Sequence, residues 1–279
     1  MLSINGIQFL KMKATTLIVG SQKGGWIHAQ QRPCHEVELP EYYIMHAPLT
    51  IANLAVALDG PNDSRQSDIP TTQLNTEDLC ELAQHLMTHD DFAHFTKHHG
   101  VGWEVRLPSY SEWLNAFNLQ LISTLPNSVE RLADAPCSNF RGAMMDGRPR
   151  KNTLTGPYSS RGGAVALHPK KSTLHDLTSV HSEQVGEGIY ARFVITPIRE
   201  GEGIKVPEQA DLWSNLRSEL IWTTILGIVP SFAIPLVRGM SDYATTGWLN
   251  LLFGGLCAGF VTGAIWRPKR KIITIESLK

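Results

Sequence analysis

A chain of 279 residues has room for one domain of about 200 residues and an appendage. Its 42% apolar and 18% charged residues exclude a disordered polymer, and a formal net charge of −1 gives no reason to expect nucleic acid as a partner. The four cysteines, Cys34, Cys80, Cys137 and Cys257, are scattered without a C-x-x-C pair, so no disulfide framework is expected and a reducing compartment fits best.

The N-terminus, Met1 to Lys11, lacks a basic region followed by a long apolar run, so no signal peptide is expected. Residues 1–58 read as short strands and turns, with a β-branched run from Thr15 to Val19. His35 to Ile44 alternates through its first half, as a half-buried strand does. Thr50 is placed to cap a helix through Leu58. Residues 59–75, rich in Pro, Asp, Asn and Ser, make a loop.

From Thr76 to Lys97 the spacing of Leu79, Leu82, Ala83, Leu86 and Met87 predicts one long helix. It carries His85 and His89 on one face, followed by His94, His98 and His99. An i, i+4 histidine pair suits a metal, but no acidic base lies between the two as in H-E-x-x-H. A solvated polar face is the simpler reading, and no metal site is expected.

Residues 104–117 are the most informative stretch. Val105 and Leu107 alternate with polar neighbours as a strand end; Pro108 forces Leu107 out of helical geometry. Ser109 and Glu112 have the S-x-x-E spacing of a capping box, and Trp113, Leu114, Ala116 and Phe117 form an apolar stripe. This predicts strand, sharp turn and capped helix. The stretch also resembles the signature R-L-P-T-E-A-E-W-E-x-A of the formylglycine-generating enzyme (sulfatase-modifying factor) family. Arg106, Leu107, Pro108, Glu112, Trp113 and Ala116 stand at its matching positions.

Other patches are similar to the same family. Pro33, His35, Val37 and Leu39 match its P-x-H-x-V-x-L, with Tyr43, Ile44 and Pro48-Leu49-Thr50 after them; Ile51 replaces the family's Asn. Residues 118–160 are the least regular part, Ser138 to Pro157 reading as loop, and the family's G-N-V-W-E-W calcium motif is absent there. Arg161, Gly162 and Gly163 match R-G-G, and Ile189 to Ile195 reads as the closing strand, keeping only the family's Arg as Arg192. The resemblance covers about residues 8–198. It implies an α+β, C-type-lectin-like fold with short sheets, two main helices and much loop.

It also implies an oxidising chemistry that this chain lacks the parts for. The family's enzymes hold copper with a cysteine pair near the domain's C-terminus, because soft sulfur ligands hold Cu(I). No cysteine lies between Cys137 and Cys257. The histidine–iron relatives need an extra helical domain for which there is no room. Neither copper nor calcium is therefore expected as a cofactor, and no catalytic residue is assigned. Related members serve only for binding and display exchangeable residues after R-G-G. In this chain that segment is Ala164 to Glu187, where His168, Lys170, His175, Ser179, His181 and Glu183 sit at loop-like positions as ligand-binding candidates. An ordinary solvated loop is the alternative.

After Gly201 the composition changes. Leu220–Val237 and Trp248–Trp266 are uncharged runs of 18 and 19 residues, near the roughly 20 needed to cross a bilayer core. Trp222, Trp248 and Trp266 sit near their ends. Basic residues lie outside the pair (Arg217, Arg267, Lys269, Arg270, Lys271) and only Arg238 lies between, so both termini are expected in the cytoplasm, at a bacterial inner membrane. Gly255, Gly259 and Gly263, spaced by four, make a smooth helix face for packing on the first span or on another copy.

The expected organisation is a domain over residues 1–205, a linker over 206–219, a transmembrane hairpin over 220–266 and a basic cytoplasmic tail over 267–279. The expected function is a membrane-anchored, non-catalytic protein that binds a protein or small ligand through residues 164–187. The alternatives are a metal-dependent oxidoreductase with a displaced site, and a bacterial defence effector whose hairpin disrupts membranes.

Overall fold

The structure, a computed structural model, describes residues 1–23, 26–57, 69–100, 102–171, 174–209, 212–239, 246–265 and 270–278. Part of the expected loop at 59–75, and Trp266, Arg267 and Lys269, lie outside them.

Strands β1 (Leu2–Ile4), β2 (Ile7–Met12), β5 (Tyr42–Met45), β6 (Trp103–Arg106) and β11 (Val194–Pro197) form a five-stranded sheet in the order β1-β2-β5-β11-β6. Strand β2 alternates buried and outward residues, and Ile7 and Phe9 are fully buried. On one face of this sheet lie helices α1 (Ile51–Ala57), α2 (Thr76–Thr88) and α3 (Asp90–His99). Their Leu79, Leu82, Leu86, Phe92 and Phe95 pack against Ile4, Phe9 and Val105. The opposite face holds α4 (Tyr110–Asn118) and two smaller sheets. One pairs β3 (Thr15–Val19) with β4 (His35–Leu39); the other has the order β10-β7-β8-β9, from Ile189–Tyr190, Val129–Arg131, Arg161–Leu167 and His175–His181.

The mixed α+β class is as expected. The layer of two main helices is not, because the long helix predicted over residues 76–97 is two. Thr88 ends α2, and His89 is extended and caps α3, its Nδ1 accepting from Asp91 N at 3.2 Å. That break takes His85 and His89 off a common helix face. Asn75 and Asp78 form a capping box on α2 that the spacing did not single out. Thr50 does cap α1, its Oγ1 accepting from Asn53 N at 3.2 Å.

Two further expectations are corrected. The segment 164–187 is a hairpin rather than a loop: β8 and β9 pair in antiparallel register from Arg161↔His181 to Leu167↔His175. The closing strand is two strands in different sheets, with β10 parallel to β7 and β11 between β5 and β6. Arg192 lies where the chain passes from one sheet to the other.

The apolar C-terminal segment is helical: α5 (Leu212–Thr223), a π-helical turn (Thr224–Ile228), α6 (Val229–Arg238) and α7 (Trp248–Ile265). The π turn ends two residues before Pro230, whose missing N–H removes one ordinary helical bond. Among the described residues one helix, Leu220–Val237, is long and apolar enough to cross a membrane; Trp248–Gly259 is a shorter apolar helix. So of the two spans expected, one meets that criterion among the described residues, and the end of the other, at Trp266, lies outside them.

Gly255 of α7 faces Gly227 so closely that a Cβ added to Gly255 would lie 2.6 Å from Gly227 O, and one on Gly259 would lie 3.3 Å from Thr223 Cα. The glycine face thus packs within the chain; the contacts of Gly263 lie outside the described side chains. Gly255→Leu should therefore push the helices apart at a cost of roughly 1–3 kcal/mol, as overpacking does. Phe253→Leu, at a side chain 70% exposed, should cost almost nothing. Thermal unfolding of the two variants in detergent checks this; equal melting would make the glycine spacing mere composition.

Residues 270–278 are part of the folded domain. Ile273 forms a parallel bridge with His35, Glu36 N donates to Ile273 O at 2.9 Å, and Ile273 N donates to Cys34 O at 3.0 Å. Ile275 is buried with Met145 and Val206. Ile275, in the segment expected as a basic cytoplasmic tail, and Val206, at the start of the expected linker, thus belong to one small core.

Candidate functional site

The strand–turn–helix at 103–118 forms as its spacing predicts, and it positions everything around it. Ser109 Oγ accepts from Glu112 N at 3.3 Å and Glu112 Oε2 accepts from Ser109 N at 2.9 Å, closing the capping box. Glu112 is fully buried. Arg106 compensates its charge with a two-pronged pair, Nη1 to Oε2 at 2.8 Å and Nη2 to Oε1 at 2.9 Å. Tyr42 donates from its hydroxyl to Glu112 O at 2.8 Å. Trp113, fully buried, donates from Nε1 to Glu130, and Glu130 in turn pairs with Arg192.

Four residues beyond Glu130, Asp134 ties the helix start to the loop that follows. Its Oδ2 accepts from Tyr110 N at 2.6 Å, its Oδ1 accepts from Arg150 N at 2.7 Å, and its carbonyl accepts from Gly163 N at 2.7 Å. Gly163 has to be glycine: a Cβ there would stand 2.7 Å from Asp134 O. This is the physical content of the R-G-G match, since β8 passes flush against the Asp134 backbone.

Two concavities flank the segment Leu132–Ala135. The first, a cavity of about 40 Å³, lies under β8–β9. Gly163, Leu177 and Thr178 form one wall, Tyr110 and Asp134 another, and Cys137, Ala143, Met144 and Arg150 a third. Tyr110 stacks on Phe140 at 5.7 Å, and Phe140 in turn lies 5.4 Å from the His35 ring. The second is an open groove of about 480 Å³ between α2 and the start of β8, with Leu79, Ala83 and Leu107 among its apolar lining and Ser160, Arg161 and Ser182 among its polar groups.

Burial sets the chemistry of the first pocket. It pushes Asp134 up to about 6, against the lowering effect of the two backbone donors. Burial also raises Tyr110 and Cys137, the latter despite Arg150, and lowers His35. At neutral pH the pocket therefore presents a protonated thiol, a neutral imidazole and a phenol beside the Asp134 carboxyl and the guanidinium groups of Arg148 and Arg150. Cys34 and Cys80 are likewise pushed up by burial. A thiol held in the protonated form is a weak nucleophile and a poor metal ligand until deprotonated.

The six ligand-binding candidates are not brought together. His168 folds onto its own turn, Nδ1 accepting from Lys170 N at 3.1 Å, and Lys170 is exposed. His175 Nε2 meets Tyr110 OH at 3.1 Å while its ring packs on Trp113 and Phe117. Ser179 Oγ accepts from Arg161 Nη1 at 3.1 Å, His181 Nε2 meets Ser160 Oγ at 2.9 Å, and Glu183 is exposed. Leu177, Thr178 and Ser182, lying between them in sequence, line the concavities. Asp134, Cys137 and Arg150, in the least regular stretch, carry no spacing that singles them out; the one local signal is Tyr110 beside the cap.

No protein-family model and no curated protein matches this chain. Among solved structures it is similar to PvdO from Pseudomonas aeruginosa, at 12% identity over 69% of this chain and 95% of that one, with a TM-score of 0.49. Treponema denticola variable protein 1 is similar at 14% identity over 68% and 95%, TM-score 0.41. CarF is similar at 12% identity over 70% and 100%, TM-score 0.40.

Proposed function

We propose that this chain is a membrane-anchored binding protein on a formylglycine-generating-enzyme-like scaffold, and that the pocket beside Asp134 seats a small ligand. The observation that carries the binding reading is that pocket: it is enclosed by β8–β9, mixed in polarity, and furnished with donors rather than with an activated nucleophile. Thr178→Trp, at an exposed position on the rim, should fill it without unfolding the domain. A metabolite library screened by thermal shift should give stabilising compounds with the wild type that no longer act on this variant. Compounds acting equally on both would move the site elsewhere.

Anchoring is supported by exposure. Leu220, Ile225, Val229, Leu236, Leu249, Phe253 and Val261 are each 50% or more exposed, on both arms of the helical segment. So large an apolar surface suits lipid rather than water. Both roots of the segment pack on Met145, through Val206 before it and Ile275 after it. A segment that leaves and returns at one place crosses an even number of times, which favours two passes, with Arg217, Arg270 and Lys271 on the cytoplasmic side.

Replacing residues 210–268 by a short flexible linker should then leave a soluble, folded domain. Truncation after residue 205 also removes Ile273 and Ile275 and should cost roughly 1.5–3 kcal/mol for the buried Ile275 side chain. Denaturant unfolding of the two proteins compares them; equal stability would show the C-terminal segment to be dispensable.

One observation favours the effector alternative. Ala143 and Met144 line the pocket, while Ala143 O and Met145 N hydrogen-bond to Val206 and Ile204 at the root of the helices. A ligand in the pocket would press on the loop that holds the hairpin. Dye leakage from vesicles carrying the full chain, triggered by a pocket ligand, would support this reading.

A further inference from the structure

We propose that His94 and His98 form a binding site for a divalent transition-metal ion of the zinc, nickel or copper kind on the exposed face of α3. The two residues are four apart on one helix, so their rings overlie one another a turn apart, with centroids 4.4 Å apart. Both are exposed. Their Nε2 atoms face each other at 3.2 Å.

That separation is the bite of a metal ion. Two nitrogens held about 2.0–2.1 Å from one zinc at the tetrahedral angle stand roughly 3.3–3.4 Å apart, and at a right angle roughly 2.8–3.0 Å. The observed 3.2 Å lies between these limits. Metal-free, the two Nε2 atoms share one hydrogen bond; for an ion to take both Nε2 lone pairs, the donating ring moves its proton to its own Nδ1. Imidazole nitrogen selects zinc, nickel and copper over magnesium and calcium, which take oxygen.

Among the described residues no group of three or more His, Cys, Asp or Glu side chains could hold a metal. The remaining positions fall to water, so the site is an exchangeable one rather than a closed structural centre. The other i, i+4 pair, His85 and His89, has no such geometry. His89 is extended and its Nδ1 is engaged with Asp91 N.

The test is calorimetric titration of Ni²⁺ and Zn²⁺ into the full chain, purified in detergent without a histidine tag. One ion should bind per chain, and excess Mg²⁺ should not compete. His94→Ala and His98→Ala should each weaken binding by roughly the 10–100-fold that even an outer-shell loss costs, whereas His85→Ala should leave it unchanged. The ion should also raise the melting temperature of the wild type and of His85→Ala alone, since it binds the folded helix only. Absence of binding, equal binding by the His94 and His98 variants, or displacement by Mg²⁺ would each overturn the proposal.

Discussion

Glu130→Gln should destabilise the protein by about 3–5 kcal/mol, the range for breaking a buried ion pair from one side. Glu130 is 1% exposed and accepts from the Trp113 indole, from Arg192 Nε at 3.1 Å and from Arg192 Nη2. The Arg192 side chain is fully buried. Its remaining donors go to the carbonyls of Met45 at 3.2 Å, His46 at 3.0 Å and Ser123 at 2.8 Å. These carbonyls orient the guanidinium without neutralising it, so an amide at position 130 leaves a full charge uncompensated in the interior. The double replacement Glu130→Leu with Arg192→Met removes both charges together and should recover much of the loss. Equilibrium denaturation of the three proteins decides it. If the single variant matches the wild type, this triad does not hold the sheets together.

Trp113→Ala should cost a similar amount, about 3–5 kcal/mol, by emptying the largest fully buried side chain of the domain. The ring stacks on Phe117 at 4.6 Å and lies edge-on to His175 at 5.3 Å, so its loss opens a cavity under β9 as well as under β7. Trp113→Phe retains most of the volume but loses the indole donor, and should cost about 1.5–3 kcal/mol, the worth of a hydrogen bond to a charged acceptor. Because Trp113 and Glu130 touch, the two losses will not add in a double variant. A domain that melts unchanged after Trp113→Ala would refute the packing of α4 described above.

What the amino-acid sequence determined by itself were features settled within a few residues of chain. Pro108, Ser109 and Glu112 close a cap over three positions, and the helix they open is where their spacing puts it. The stripe of Leu79, Leu82 and Leu86 marks α2 because helical neighbours are three or four apart. The uncharged runs after Leu220 announce an apolar hairpin from composition alone.

What only the tertiary structure decided were matters of partners far apart in the chain. Glu130 and Arg192 are 62 positions apart, and nothing local marks either as half of a buried pair. His89 ends one helix and caps the next, a break that an unbroken apolar stripe conceals. Ala164 to Glu187 reads as loop because its polar residues hide the alternation that pairing with β8 enforces. Ile273 returns across more than two hundred residues to His35, and Ile275 is buried with Met145 and Val206, so part of the apparent tail is core. The pocket is assembled from β3, β4, α4, β8 and β9, each of which supplies one or two residues, and from the loop between β7 and β8, which supplies most of the lining. Local propensity fixes the conformation of neighbours, but which surfaces meet depends on burying apolar area across the whole domain, and that information is not carried by any single stretch.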